Sequence, residues 1–175
     1  MTGGTEADDE VEFVLVAAVA ENRVIGSDRE MPWHYPADLA HFRSLTTGHP
    51  VILGRTTYET VADRIGGPLP DRRSVVLTTR NPELPDGAVV ANDIVAARER
   101  AREAADELDV DVVYVIGGAT VYEAFLPDAD RMVLTEIPER PDGDTLFPAW
   151  DDDAWRVVDR ESDGELTFVT YERDG

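Results

Sequence analysis

Apolar and polar positions along this chain fall into blocks that read in turn as strands and helices. Phe13 to Ala20 (FVLVAAVA) is an unbroken apolar run between polar neighbours, the pattern of a strand buried on both faces. Residues 36–47 (PADLAHFRSLTT) set Leu39, Phe42 and Leu45 at helical spacing, with Pro36 suited to a first turn and Gly48 as a stop. Val51 to Gly54 predicts a short strand that runs into a helix start at Arg55-Thr56-Thr57, and Ser74 to Thr79 predicts another strand. Asn92 to Leu108 predicts the clearest helix: Ile94, Ala97, Ala101, Ala104, Ala105 and Leu108 form one stripe, with Glu and Arg opposite. Val110 to Ile116 reads as a strand ending at Gly117-Gly118, followed by a helix from about Thr120 to Leu126 and a strand at Arg131–Ile137. Two alternating segments, Trp155–Arg160 and Glu165–Glu172, flank Ser162-Asp163-Gly164 and predict a hairpin.

Strands alternating with helices predict an α/β fold. The expected architecture is a single domain over residues 12–175, with a central mixed, mostly parallel sheet, flanking helices and a C-terminal antiparallel hairpin. A length of 175 residues fits one domain, and the 42% hydrophobic content suffices for a core. Residues 1–11 read as an acidic tail without the apolar segment of a secretory leader. The longest apolar run is too short to cross a bilayer. A cytoplasmic location with no membrane partner is therefore expected.

Charge changes the picture most. Thirty-seven acidic residues face sixteen basic ones, all arginine, for a net charge of −21. Such a surface repels nucleic acid and anionic membranes. It also predicts adaptation to molar salt, because at about 1 M ionic strength the screening length falls to roughly 3 Å and self-repulsion is relieved. The absence of cysteine excludes disulfides, thiolate metal sites and a thiol nucleophile. His34, His41 and His49 are not at metal-ligand spacing and are expected at the surface or as caps; Asp151-Asp152-Asp153 reads as a solvated run. No metal is expected.

Four features carry candidate chemistry. Gly54-Arg55-Thr56-Thr57 and Gly117-Gly118-Ala119-Thr120-Val121-Tyr122 are strand-to-helix junctions. Neither is a GxGxxG fingerprint nor a P-loop. Glycine there either just ends a strand or lets a phosphate reach backbone N–H groups at a helix start. Arg55 favours the second reading, and Thr78-Thr79-Arg80 ends a third strand with two hydroxyls and another cation. Asp38 sits in a first helical turn, where it either complements the helix dipole or, lying along the stripe of Phe42 and Leu45, faces an apolar pocket with a raised pKa. In a pocket, its two oxygens can accept hydrogen bonds from a flat heterocycle. Met31-Pro32-Trp33 follows Val24-Ile25-Gly26: Trp33 anchors a loop or presents its N–H to a water near Asp38, and Gly26 with Ser27-Asp28 suggests a lid. Arg72-Arg73, after Pro68-Leu69-Pro70, is either a surface turn or a bidentate clamp for a carboxylate.

The ordered blocks AAVAENRVIG, MPWHYPADLAHFR, PVILGRTTYE, PLPDRR, VIGGATVYEAFLP, LTEI and GDTLFP closely resemble dihydrofolate reductase over residues 13 to about 150. The composition suggests a halophilic, archaeal version. The resemblance implies a monomeric enzyme that moves hydride from NADPH to 7,8-dihydrofolate. It implies that Asp38 is the pterin-binding acid, assisted by Thr135 and Trp33, and that Val16, Leu39, Phe42, Val61, Leu69 and Ile116 wall the substrate. Arg72 matches the arginine that grips the glutamate tail. On the cofactor side Ala18 and Ile25 would lie around the nicotinamide, with Gly26 also toward the cofactor, Met31 in the matching lid loop and Asp144 in a neighbouring loop that can latch it. The two glycine junctions, with Thr78, Thr79 and Arg80, would hold the phosphates, and a cis peptide bond is implied at Gly117–Gly118. Ala119 stands where a glycine is common, and Thr120 where some members carry an arginine near the 2′-phosphate. The rivals are a same-fold reductase of a riboflavin precursor, which would not need Asp38, a regulatory module that binds nucleotide without turnover, and a purely structural acidic domain that binds neither ligand.

Overall fold

The computed structural model describes residues 11–26, 36–140, 145–151 and 153–173, with only the backbone of Leu39 and Thr145. In chain order it contains β1 (Glu12–Ala20), β2 (Val24–Gly26), α1 (Pro36–Thr46), β3 (Pro50–Gly54), α2 (Arg55–Ile65), β4 (Arg73–Leu77), β5 (Ala88–Ala91), α3 (Ile94–Leu108), β6 (Val112–Gly117) and α4 (Ala119–Phe125). A 3₁₀ turn (Leu126–Asp128), β7 (Arg131–Ile137), β8 (Thr145–Leu146), β9 (Trp155–Asp163) and β10 (Leu166–Arg173) complete it.

Eight strands form one sheet in the order β5-β4-β3-β6-β1-β7-β10-β9. The pairings from β5 to β7 are parallel; β10 runs antiparallel to β7 and β9 to β10. The sheet is thus mixed and mostly parallel, with the C-terminal hairpin as its antiparallel edge.

The unbroken apolar run of β1 has a direct cause, since both its faces are buried. Phe13, Leu15 and Ala17 join Ile52, Val75, Val113, Val115 and Met132 in a core closed by Ala97, Ala101 and Ala105 of α3 and Val121, Tyr122 and Phe125 of α4. Val14 and Val16 point to the opposite face, into a cluster with Val51, Leu53, Val76 and Val133 against which Phe42 and Leu45 of α1 pack. α3 starts two residues later than the pattern suggests, because Asp93 is its cap and accepts a hydrogen bond from the Ala96 N–H at 2.8 Å.

Three strands escape the pattern reading. β5 has only four residues, and β2 pairs with the two-residue β8 more than a hundred positions away. The latter contact is secured by the Phe147 N–H donating to the Arg23 carbonyl at 2.9 Å, and by the Arg23 guanidinium donating back to the Phe147 carbonyl. The hairpin turn is also tighter than expected. Leu166 pairs directly with Asp163, so Gly164 and Glu165 form the connection, with Gly164 at φ 62°.

Candidate active site

A cleft of about 1720 Å³ opens along the carboxyl ends of the parallel strands, where ligands of open α/β sheets bind. Val16, Ala17 and Ala18 of β1, Gly54 of β3, Leu77 of β4, Ile116 and Gly117 of β6 and Thr135 of β7 form its floor. α1 and α2 form its walls.

The two glycine junctions meet in this cleft because β3 and β6 are neighbours, with Leu53 opposite Gly117. A Cβ on Gly54 would lie 3.2 Å from Val121 Cγ2, and one on Gly118 would lie 3.5 Å from Thr57 Oγ1. The absence of Cβ atoms lets the two junctions pack closely against one another, with Val121 and Thr57 as the nearest side chains. No side chain caps the start of α2, so its first N–H groups remain as donors beside Arg55, Thr56 and Thr57, all of which line the cleft. Gly117 has φ 118°, and a Cβ there would meet the Tyr122 hydroxyl at 3.1 Å. That hydroxyl donates to the Val16 carbonyl at 2.6 Å, tying α4 to the floor. The Gly117–Gly118 peptide bond is cis. The corner thus offers glycine backbone, free N–H donors at a helix start and a nearby cation, features a phosphate group can use. Arg55 itself pairs with Glu59 one turn later, at 2.8 Å. Thr78 and Thr79 line the same end, as do Asn92 and Asp93, which the sequence reading missed. Arg80 is exposed and absent from the lining; Asn92 Nδ2 fixes its carbonyl at 3.1 Å and that of Thr78 at 2.8 Å.

Asp38 faces the cleft from the first turn of α1. Burial raises its carboxyl above the ordinary 3.8; the hydrogen bond from Thr135 and the nearby His41 oppose that rise. Thr135 is almost fully buried, so the bond is made in an apolar setting, where each partner specifies the other's place.

Arg72 follows the exposed turn at Pro70-Asp71, but its own side chain is buried, at 8% exposure. Its Nε donates to Thr46 Oγ1 at 2.7 Å, Nη1 to the Pro70 carbonyl at 2.7 Å and Nη2 to Thr47 Oγ1 at 3.3 Å. With five N–H donors in all, one remains on each terminal nitrogen, a fork at the cleft wall. Burial and the neighbouring Arg43 lower its pKa, against the opposing charge of Asp71. Phe42, Val61, Leu69, Ile116 and Ile25 line the cleft; Gly26 does not. Ala119, Thr120 and Val121 border it beside the second junction.

Met31, Trp33, His34 and Asp144 lie outside the described residues, as does the side chain of Leu39. Two histidine expectations are corrected. His49 is half-buried, its Nδ1 2.9 Å from the Val112 carbonyl. His41 lines the cleft instead of facing solvent, because α1 lies over the sheet there. The run Asp63–Gly67 ends α2: Gly66 takes the left-handed cap (φ 83°), its N–H donates to the Ala62 carbonyl at 2.7 Å, and Arg64 to Gly67 form the cleft rim. Among the described residues no cluster could hold a metal, and no helix is long and apolar enough to cross a membrane.

A crossover sheet with a deep cleft at its carboxyl edge, open backbone at one end and a buried acid at the other, defines an α/β nucleotide-binding enzyme. Comparison with known proteins makes this specific. The family model for dihydrofolate reductase matches residues 12–173. Dihydrofolate reductase HdrB of Haloferax volcanii is 56% identical over 169 residues, 97% of this chain and 87% of that one. The Haemophilus influenzae dihydrofolate reductase is 41% identical over 168 residues, 92% of this chain and 98% of its own. A solved dihydrofolate reductase from Enterococcus faecalis, complexed with NADP(H) and RAB-propyl, superposes with a TM-score of 0.82 at 29% identity, covering 95% of this chain and 98% of that one. The chain belongs to the dihydrofolate reductase family.

Proposed function

We propose that the chain reduces 7,8-dihydrofolate to 5,6,7,8-tetrahydrofolate, with NADPH as the reductant, and that one copy of the chain makes the whole site. The observation that carries this reading is Asp38, buried against Thr135 in the cleft that also holds the bare glycine corner.

In this reading the Asp38 carboxylate accepts hydrogen bonds from the pterin amino group and ring N–H. It offsets the positive charge that develops as N5 gains a proton, and Trp33 holds the water through which that proton arrives. Thr135 fixes the carboxylate's orientation. Val16, Leu39, Phe42, Val61, Leu69 and Ile116 exclude water from the ring, and the Arg72 fork grips the glutamate carboxylate. When bound, the reduced nicotinamide supplies the hydride that C6 accepts. Ala18 and Ile25, which line the cleft, would flank it, while Gly26 stays outside the lining. The start of α2, the Gly117–Tyr122 junction, Thr78 and Thr79 hold the phosphates, and Arg55 reads the 2′-phosphate. Arg80, outside the lining, contributes at most long-range charge.

The direct test follows loss of near-ultraviolet absorbance of NADPH on adding dihydrofolate, at salt from about 0.1 M to above 1 M. Turnover that rises with salt, alongside the thermal midpoint, is the expected result. Cofactor binding with flat absorbance would instead mark a regulatory module. A second test concerns Arg55. Replacing it by alanine should weaken NADPH by about ten- to a hundredfold, the size of one charge-assisted contact, and leave NADH nearly unchanged. Equal losses in fluorescence titrations would remove Arg55 from the 2′-phosphate.

A further inference from the structure

His41 lies one turn beyond Asp38 on α1 and faces the same cleft. Its ring stacks on Phe168 of β10, with centroids 4.0 Å apart and planes 24° from parallel. Its Nε2 is buried without a hydrogen bond. A phenyl ring would make that stack without the loss, which for an unsatisfied polar atom is about 1–3 kcal/mol. Packing alone does not account for an imidazole here.

The sheet beneath supplies a reason. Thr135 of β7, Phe168 of β10 and Glu161 of β9 are direct cross-strand partners, so their side chains stand in one row on one face. α1 lies over this row. Asp38 takes the Thr135 hydrogen bond, His41 covers Phe168, and Glu161 ends the row at the exposed edge. The charges acting on His41 are Asp38 from its own helix and Glu161 from β9; β7 and β10 present Thr135 and Phe168, neither of them ionic. One imidazole is flanked by two carboxylates, one in the cleft and one at the solvent edge.

We propose that His41 is a positioning residue for substrate recognition: on the acid side, where its ring takes up a proton with Glu161 behind it, it keeps Asp38 ionised and ready to accept the pterin's hydrogen bonds. This rests on the reading of Asp38 given above. Burial moves Asp38 up from 3.8 and His41 down from 6.5, while the charge of each opposes the shift of the other. Loss of the imidazolium leaves the buried carboxyl protonated to higher pH, in the form that donates where the pterin also donates.

The test follows the His41 ring resonances by NMR across pH in the ligand-free chain, assigned by their absence in His41→Phe. The His41 midpoint should fall by about half a unit or more in Asp38→Asn, and also in Glu161→Gln, which alters nothing in the cleft. In His41→Phe, which keeps the stack, the acid limb of kcat/KM for dihydrofolate should move up by about 0.5–1 unit. Unmoved ring midpoints in both carboxylate variants, or an unmoved acid limb in His41→Phe, would overturn the proposal. The ring titration needs no turnover, so a failure of the pairing is told apart from a failure of the substrate assignment.

Discussion

Asp38→Asn should lower turnover at neutral pH by about 10²- to 10⁴-fold, the usual worth of a positioned acid–base group. The amide keeps the shape and can still be held by Thr135. It cannot carry the negative charge that offsets a proton arriving at N5, and its NH₂ opposes the donors of the pterin. The sign of the pH dependence follows. Protonation at N5 grows easier as pH falls, so the variant should recover part of its rate at low pH, where substrate arrives already protonated. The wild type should keep its rate to higher pH and decline later. Steady-state rates between weakly acidic and weakly alkaline buffers, at constant high salt, measure both curves. A variant with near-normal turnover at pH 7 would take Asp38 out of the mechanism and the reductase reading with it.

Replacing Arg72 by leucine should raise KM for dihydrofolate by roughly thirty- to several-thousandfold, the equivalent of about 2–5 kcal/mol for truncating one side of a buried charge pair. The guanidinium also holds Thr46, Thr47 and Pro70, so a structural loss has to be separated from lost recognition. A dihydropterin without the glutamate tail makes that separation, since its KM should be the same in the variant and the wild type. Arg72→Lys should also fail to restore dihydrofolate binding, because a point charge cannot reproduce the fork. A KM penalty of equal size for the tail-less pterin would mean that Arg72 only braces the turn after α1.

The long elements were legible in the chain because each buries enough periodic surface to leave a pattern. β1 shows an unbroken run since both of its faces are covered, and α3 shows an alanine stripe since one of its faces is. β2, β5 and β8 left no such trace. They have three, four and two residues, too few for a period, and β2 with β8 exists through partners far apart in sequence. Among site residues, Gly54, Arg55 and the Gly117-Gly118 pair could be read locally, because a strand that runs through glycine into a helix start is a local signal. Asn92 and His41 could not. Asn92 reaches the cleft by bonding back to the chain beyond β4, and His41 by lying over a row assembled from three strands.

By itself, the sequence determined the long strands and helices, the acidic surface and the set of residue types able to do chemistry, since periodicity, charge and glycine's backbone freedom are properties of neighbours along a chain. The tertiary structure alone decided which of those residues meet. Asp38 might have been a helix-end charge and Arg72 a surface cation, until Thr135 arrived across the sheet from ninety-seven positions away and Thr46 from twenty-six. Burial then fixed their roles: out of water, a carboxylate or a guanidinium keeps its place only where a partner meets it, and which partner that is depends on strand order and register, not on distance along the chain.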